Sequence, residues 1–88
     1  MPYISSDLRD KLLPIVDTIR LLDINEGELN YLITILCDTY LYNKGINYSN
    51  INNAIGVLEC AKLELYRRIA VNYENKKLEI NGDVYETK

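Results

Sequence analysis

The chain has 88 residues, of which 48% are hydrophobic, with eight tyrosines, no tryptophan, no phenylalanine and a formal net charge of −3. This length predicts one domain, 1–88, that buries only about 60–65% of the surface of its unfolded chain. Interspersed charges without a basic stripe argue against binding of bulk nucleic acid. Because a small monomer cannot hide this much apolar and tyrosine surface, we expect a homo-oligomer.

Several functional classes are excluded by what the sequence lacks. There is no histidine, which removes the commonest general base and all histidine metal sites. No glycine-rich phosphate loop, Cys-x-x-Cys pair or partnered nucleophile is present, so we expect no enzyme, no cofactor and no metal. No apolar run is long enough to span a membrane and no signal peptide is recognisable. Cys37 and Cys60, as free thiols, suit a reducing cytoplasm.

The first predicted helix covers residues 6–22, with Ser5 or Ser6 as its N-cap. Its apolar residues recur at a 4-3-4-3 spacing that suits antiparallel helix packing: Leu8, Leu12, Ile15, Ile19 and Leu22. Pro14 falls inside this run and removes one backbone amide. Since the apolar spacing continues past the proline, we expect a kinked helix rather than two helices.

The second predicted helix covers residues 26–43. Asn25 and Glu28 have the spacing of a capping box at its start, and Gly45 follows its end as a typical C-cap residue. Two sides of this helix are apolar, which indicates burial between neighbours or contact with another subunit. We favour a subunit interface on the side that carries Tyr31, Ile35 and Tyr42.

The third predicted helix is long, covering residues 50–75 with Ser49 as its N-cap. Gly56 interrupts its apolar side, which predicts that another helix approaches closely. Lys62 projects into the same side, with Glu59 and Tyr66 on one ridge with it. Lys62 either extends its ammonium past its own methylenes to water or is buried and paired. The three residues form a buried polar network that fixes helix register, an oligomer contact, or the polar floor of a ligand pocket.

Basic and aromatic residues cluster towards the end of the long helix. Arg67 and Arg68 either complement the helix dipole in solvent or pair with a phosphate or carboxylate. Tyr66 or Tyr73 would then stack on a nucleotide base. The asparagine cluster Asn47, Asn50, Asn52 and Asn53 has two similar interpretations, as turn and cap residues or as part of a nucleotide pocket. The ligand-binding hypothesis uses Lys62, Arg67, Arg68, Tyr66, Tyr73, Asn52 and Asn53.

The last segment, residues 76–88, contains Asn81-Gly82 between apolar residues. This pair is a strong signal for a two-residue hairpin turn. An isolated hairpin is marginal in water, so the segment is either a short C-terminal hairpin that docks elsewhere or a tail. Together the elements predict an all-α fold, a three-helix antiparallel bundle with a kinked first helix and a long third helix.

Five sequence stretches carry a resemblance to a known family: PYI near the start, GELNYLIT at 27–34, IGVLECAKLELYRR at 55–68, NYEN at 72–75 and NGDVY at 81–85. They resemble a family of short uncharacterised proteins of bacteriophages and prophages, which has a proline where this chain has Asn72. The resemblance implies a helical protein acting in the host cytoplasm. By analogy, it suggests the strategy of anti-CBASS and anti-Thoeris sponges, which bind nucleotide signals at subunit junctions.

The leading functional prediction is a non-enzymatic, homo-oligomeric anti-defence sponge that sequesters a nucleotide immune signal, either a cyclic nucleotide or an ADP-ribose derivative. Its partners are other copies of itself and a small anionic nucleotide. The alternatives are a protein–protein regulator that inhibits a host enzyme, or a structural oligomerisation module without a small ligand.

Overall fold

A computed structural model describes residues 2–87, so the predicted domain ends Met1 and Lys88 lie outside the described residues. The fold is all-α, with three helices of which the third is the longest, and this confirms the predicted fold class. Helix α1 covers Ser6–Arg20, α2 covers Glu26–Lys44, and the long third helix comprises α3 (Tyr48–Leu65), a π-helical turn (Tyr66–Ala70) and α4 (Val71–Asn81). None of these helices combines the length and apolar content needed to cross a bilayer.

Capping residues define where the helices begin. Ser5 Oγ accepts a hydrogen bond from the Leu8 amide, which identifies Ser5 as the N-cap of α1. The predicted capping box of α2 is confirmed, because Asn25 Oδ1 accepts from the Glu28 amide at 2.9 Å and Glu28 Oε1 accepts from the Asn25 amide at 3.1 Å. Such reciprocal bonds satisfy amides that have no partner inside the helix.

The start of the third helix differs from the prediction. Its N-cap is Asn47, whose Oδ1 accepts from the Asn50 amide at 2.8 Å, so the assignment of Ser49 was wrong. The Asn50 side chain in turn donates to the carbonyls of Lys44 and Gly45, at 3.1 and 3.0 Å. Two members of the asparagine cluster therefore close the turn between α2 and α3.

The C-terminal end of the long helix also differs from the prediction. The helix continues to Asn81 rather than ending at residue 75, and Gly82 ends it with a φ of 87°. Asn-Gly is thus a helix stop here, because glycine enters the positive-φ region without the penalty that other residues incur. The predicted hairpin is absent, and residues 82–87 form an irregular tail.

Pro14 does not break the first helix, which remains continuous from Ser6 to Arg20. The helix is two residues shorter than predicted, since the Leu21 and Leu22 amides turn back to the carbonyls of Thr18 and Ile19. The position of α1 is more informative than its length. Within residues 2–87, no Cα atom of α1 lies within 8 Å of a Cα atom in another helix.

Within residues 2–87, packing between separate helices is confined to α2 and α3. Residues Leu36, Cys37 and Tyr40 of α2 face Ala54 and Val57 of α3 across an apolar cavity of about 130 Å³. Ala54, at 9% exposure, is the only buried hydrophobic residue among those described. Apart from its chain neighbours and the backbone of its own helix, no atom of the described residues would lie within 4 Å of a Cβ placed on Gly56, so the close approach predicted there does not occur within one chain.

The chain is extended for its size. Its radius of gyration is 17.3 Å, against about 12 Å for a compact domain of this length. The longest dimension is 49 Å, which matches the long third helix at about 1.5 Å per residue. The accessible surface is 8298 Å², whereas a folded monomer of this mass exposes roughly 5300 Å².

Candidate functional site

Residues 2–4, which precede the N-cap of α1 and are here called the N-terminal lead, meet the long helix at one hydrogen-bonded cluster. Tyr3 Oη donates to Glu64 Oε1 at 2.6 Å, and Arg67 Nη2 donates to the same oxygen at 2.5 Å. Arg68 Nη1 donates to Tyr3 Oη at 3.3 Å. Tyr3 is thereby joined to Glu64 and Arg68, which lie 61 and 65 positions later in the sequence. These hydrogen bonds fix the lead on the side of the long helix.

The cluster determines the charge state of its carboxylate. The hydrogen bond from Tyr3, followed by that from Arg67, holds the pKa of Glu64 below its ordinary value of 4.5. The same carboxylate raises the pKa of Arg67 through its hydrogen bond. Hydrogen bonds and an adjacent opposite charge both favour the ionised form. Glu64 is therefore a carboxylate at neutral pH and has no proton to donate.

An open cleft of about 410 Å³ lies beside this cluster. Its lining comprises Pro2, Tyr3, Ala61, Glu64, Leu65, Arg68, Ile69 and Asn72. Within residues 2–87 the ion pairs are Lys62–Glu59 and Arg67–Glu64, so Arg68 faces the cleft without a carboxylate partner. A guanidinium in this state has donors available for an anion.

The π-helical turn positions this arginine. The Val71 amide donates to the Tyr66 carbonyl, five residues back, rather than to the residue four back. Asn72 Nδ2 donates to the Arg68 carbonyl oxygen at 2.8 Å, so this oxygen within the π-helical turn accepts a hydrogen bond from a side chain. Single π-helical turns inside α-helices occur frequently at functional sites.

The predicted network of Glu59, Lys62 and Tyr66 is not buried within one chain. Lys62 Nζ and Glu59 Oε1 form an ion pair at 3.2 Å, but their side chains are 69% and 55% exposed. Tyr66 is also exposed. The physical reason is that α1, which would cover this side of α3 in a closed bundle, does not reach it.

The other predicted ligand-binding residues are distributed along the long helix. Tyr73 contacts Lys77, whose Nζ lies 5.6 Å from the ring centroid in a cation–π geometry. Asn52 and Asn53 lie near the start of α3, about 22 Å along the helix from Arg67 at 1.5 Å per residue. One chain therefore brings Arg67 and Arg68 together but does not bring the two asparagines to them.

The predicted oligomer interface lies on an open surface. Tyr31, Ile35 and Tyr42 are all exposed. At 100° per residue they lie on the side of α2 away from Leu36, Cys37 and Tyr40, which face α3. The tyrosines present apolar rings with polar tips, a composition enriched at protein interfaces.

Sequence reasoning missed Tyr3 and Glu64, the two residues that organise the site. Glu64 was recognisable from its position three and four residues before Arg67 and Arg68, where helical side chains meet. Tyr3 carries no comparable local signal, because its partner lies 61 positions away. The described residues contain no group of three His, Cys, Asp or Glu side chains arranged to hold a metal ion.

Comparison with known proteins adds a family to this description. No match is found among curated proteins or among solved structures. A family model matches residues 1–84, which include the lead, all three helices and the Tyr3–Glu64–Arg68 cluster. The chain therefore belongs to the family described as Domain of unknown function (DUF6899).

Proposed function

We propose that this protein is a non-enzymatic homo-oligomer that sequesters a small anionic ligand in clefts completed where copies meet. The observation that carries the proposal is the accessible surface of 8298 Å² on a 10.2 kDa chain. This is about 3000 Å² more than a folded monomer of that mass exposes. Obligate homodimers bury roughly 2000–5000 Å² in total, so association is the simplest way to remove the excess.

The composition of the exposed surface supports the same conclusion. Leucine and isoleucine side chains are exposed on every helix and tyrosines on the second and third, and Ala54 is the only buried hydrophobic residue described. Burial of apolar surface contributes about 25 cal/mol per Å² and is the main driving force for folding. A chain with one buried core residue gains little of that energy alone, whereas an assembly recovers it.

The choice of an anionic ligand rests on Arg68. This guanidinium lines the 410 Å³ cleft together with Tyr3 and Asn72 and has no carboxylate partner within residues 2–87. The volume lies in the range of pockets that hold small molecules. A nucleotide fits this chemistry, because phosphate pairs with a guanidinium fork and a base stacks on tyrosine. A neighbouring copy would supply the Asn52 and Asn53 that one chain keeps distant.

The biological setting we propose follows from the resemblance to phage and prophage proteins. In that setting the ligand is a cyclic nucleotide or an ADP-ribose derivative that signals infection, and the protein acts in the cytoplasm of the infected cell. Sequestration needs only affinity and abundance, which agrees with a chain that lacks histidine.

Two measurements test the proposal. Light scattering after size-exclusion chromatography should give a mass that is a multiple of 10.2 kDa. Titration calorimetry against cyclic nucleotides and ADP-ribose isomers should then give heat for at least one ligand. Arg68→Ala should lose about 10- to 100-fold in affinity, since a charged hydrogen bond contributes about 1.5–3 kcal/mol. Lys76→Ala, at another exposed cation of the same helix, is the control.

Clear outcomes would contradict each half of the proposal. A monomeric mass at all protein concentrations would contradict the cleft shared between copies. Ligand binding would be contradicted by an oligomer that gives no heat with any ligand of the panel and carries no nucleotide detectable by mass spectrometry after purification.

A second candidate function is inhibition of a host protein through the outer side of α2. The supporting observation is that Tyr31, Ile35 and Tyr42 are exposed together on that side. Tyr31→Ala or Tyr42→Ala should then lose a partner protein in a pull-down while retaining the wild-type mass and any ligand heat. Retention of the partner by both variants would contradict this function.

A further inference from the structure

One side of α1 is apolar along its whole length. Leu8, Leu12, Ile15 and Ile19, here called the α1 stripe, are 41–56% exposed. Their 4-3-4 spacing is that of a helix seam that inserts into the side of another helix. Polar residues occupy most of the remaining helix surface, which also carries Leu13, Pro14 and Val16, and α1 is the most strongly amphipathic of the helices.

Among the described residues, no other helix packs against the α1 stripe. Packed helices have axes 8–10 Å apart and Cα atoms about 2.3 Å from each axis, so their closest Cα atoms are about 3.5–5.5 Å apart. Within residues 2–87, no Cα of α1 comes within 8 Å of a Cα in another helix. The hydrogen-bonded connection to the long helix is made instead by Tyr3, which precedes α1.

A second copy of the chain has the surface needed to cover the stripe. The excess exposed area of about 3000 Å² per chain exceeds the 1000–2500 Å² that one partner contributes to an obligate homodimer. An extensive interface is therefore required to remove it, and the α1 stripe is part of the exposed apolar surface. The long helix offers a matching apolar side, with exposed Ile51, Ile55, Leu58 and Leu65.

We infer that α1 is an exchanged arm, which docks the α1 stripe on a second copy of this chain. This inference rests on the proposed homo-oligomer and names the element that forms it. An isolated amphipathic helix of 15 residues is marginal in water. Docking on a neighbour gives α1 the tertiary support that its own chain does not provide, and Tyr3 and Glu64 set the direction in which the arm leaves the long helix.

The test uses the full chain and two variants. Leu12→Glu combined with Ile19→Glu places two carboxylates in the stripe. Leu21→Glu is the matched control, because Leu21 is 87% exposed and projects from the opposite side of the helix. Sedimentation velocity over a concentration series should give a multiple of 10.2 kDa for wild type and control. The double variant should have an association constant at least about 100-fold lower.

A second measurement on the wild-type chain covers the case in which the double variant fails to fold. Isotope-filtered NOE spectra of a 1:1 mixture of labelled and unlabelled chains report contacts between copies. Methyl groups of the α1 stripe should give such contacts. Stripe contacts confined to the same chain would overturn the inference, and so would a folded double variant with the wild-type mass. Either result in an oligomer leaves the proposed function intact, whereas a wild-type monomer removes both.

Discussion

The α2–α3 pair and α1 are built from similar residues but differ in how they are stabilised. The pair is joined by a turn in which Asn47 caps α3 and Asn50 binds the carbonyls at the end of α2. Its helices then pack around Ala54. Helix α1 has an N-cap in Ser5 and a clear apolar stripe, yet in the part of the chain that the structure describes no other helix packs against that stripe.

This difference separates two requirements that usually coincide. Local signals such as caps and apolar spacing decide that a helix forms, because they act within one turn or a few turns of backbone. Burial decides whether the helix is stable, and it depends on a partner. In this chain α2 and α3 meet both requirements internally, whereas α1 meets only the first.

The largest expected effect comes from overpacking the contact between α2 and α3. Ala54→Leu should lower the free energy of unfolding by about 1–3 kcal/mol, since a larger side chain forces the two helices apart. Ala61→Leu, at an exposed position of the same helix, should change it by less than about 0.5 kcal/mol. Urea unfolding at fixed protein concentration measures both, and equal effects would show that Ala54 is not a packing centre.

The second prediction concerns the turn that joins the pair. Asn47→Ala should cost about 1 kcal/mol, because it removes the acceptor for the Asn50 amide. Ser49→Ala, two residues further on, should have little effect, as Ser49 does not cap the helix. Urea unfolding distinguishes the two residues, and a larger loss for Ser49→Ala would reverse the assignment.

The third prediction uses the open side of α3. Gly56→Ala should stabilise the chain by up to about 1 kcal/mol, since alanine favours a helix more than glycine does. Among residues 2–87, no atom from another helix lies within 4 Å of the added Cβ. Thermal unfolding at fixed concentration measures the gain. A loss of stability accompanied by a lower solution mass would instead place a second copy against Gly56.

The smallest expected effect is a pH dependence of the contact between the lead and the long helix. The folded-state pKa of Glu64 is depressed below 4.5, so its stabilising contribution is present above that value and is lost as the pH falls through the folded-state pKa. Glu64→Gln should lack this contribution. The difference in unfolding free energy between wild type and Glu64→Gln should therefore shrink below about pH 4.5. A difference that is constant from pH 7 to pH 3 would contradict the assignment.

Much of the helical framework is readable from the sequence. Asn25 and Glu28 identify the start of α2, and Gly45 identifies its end, because both signals act over a few residues. The errors arise where one local signal has two meanings. Asn81-Gly82 is both a hairpin turn and a helix stop, and the choice depends on residues 76–80, which continue the helix.

The candidate site was only partly predictable for a different reason. Arg67 and Arg68 are conspicuous in sequence as adjacent cations near a helix end. Their actual partners are Glu64, one helical turn away, and Tyr3, at the opposite end of the chain. Lys62 is 69% exposed within one chain, since helical projection gives the direction of a side chain but does not say whether another helix is present there.

The π-helical turn at Tyr66–Ala70 has a consequence for the geometry of the long helix. It contains one residue more than an α-helical turn, so every side chain after it is rotated by about 100° relative to an uninterrupted helix. Deleting a single residue from this segment would restore α-helical pairing and leave Tyr73 on its present side of the long helix, whereas regular α-helical pairing at the present length would turn Tyr73 to a different side. The extra residue therefore determines which side chains of α4 lie on the same side of the long helix as the cleft lined by Arg68.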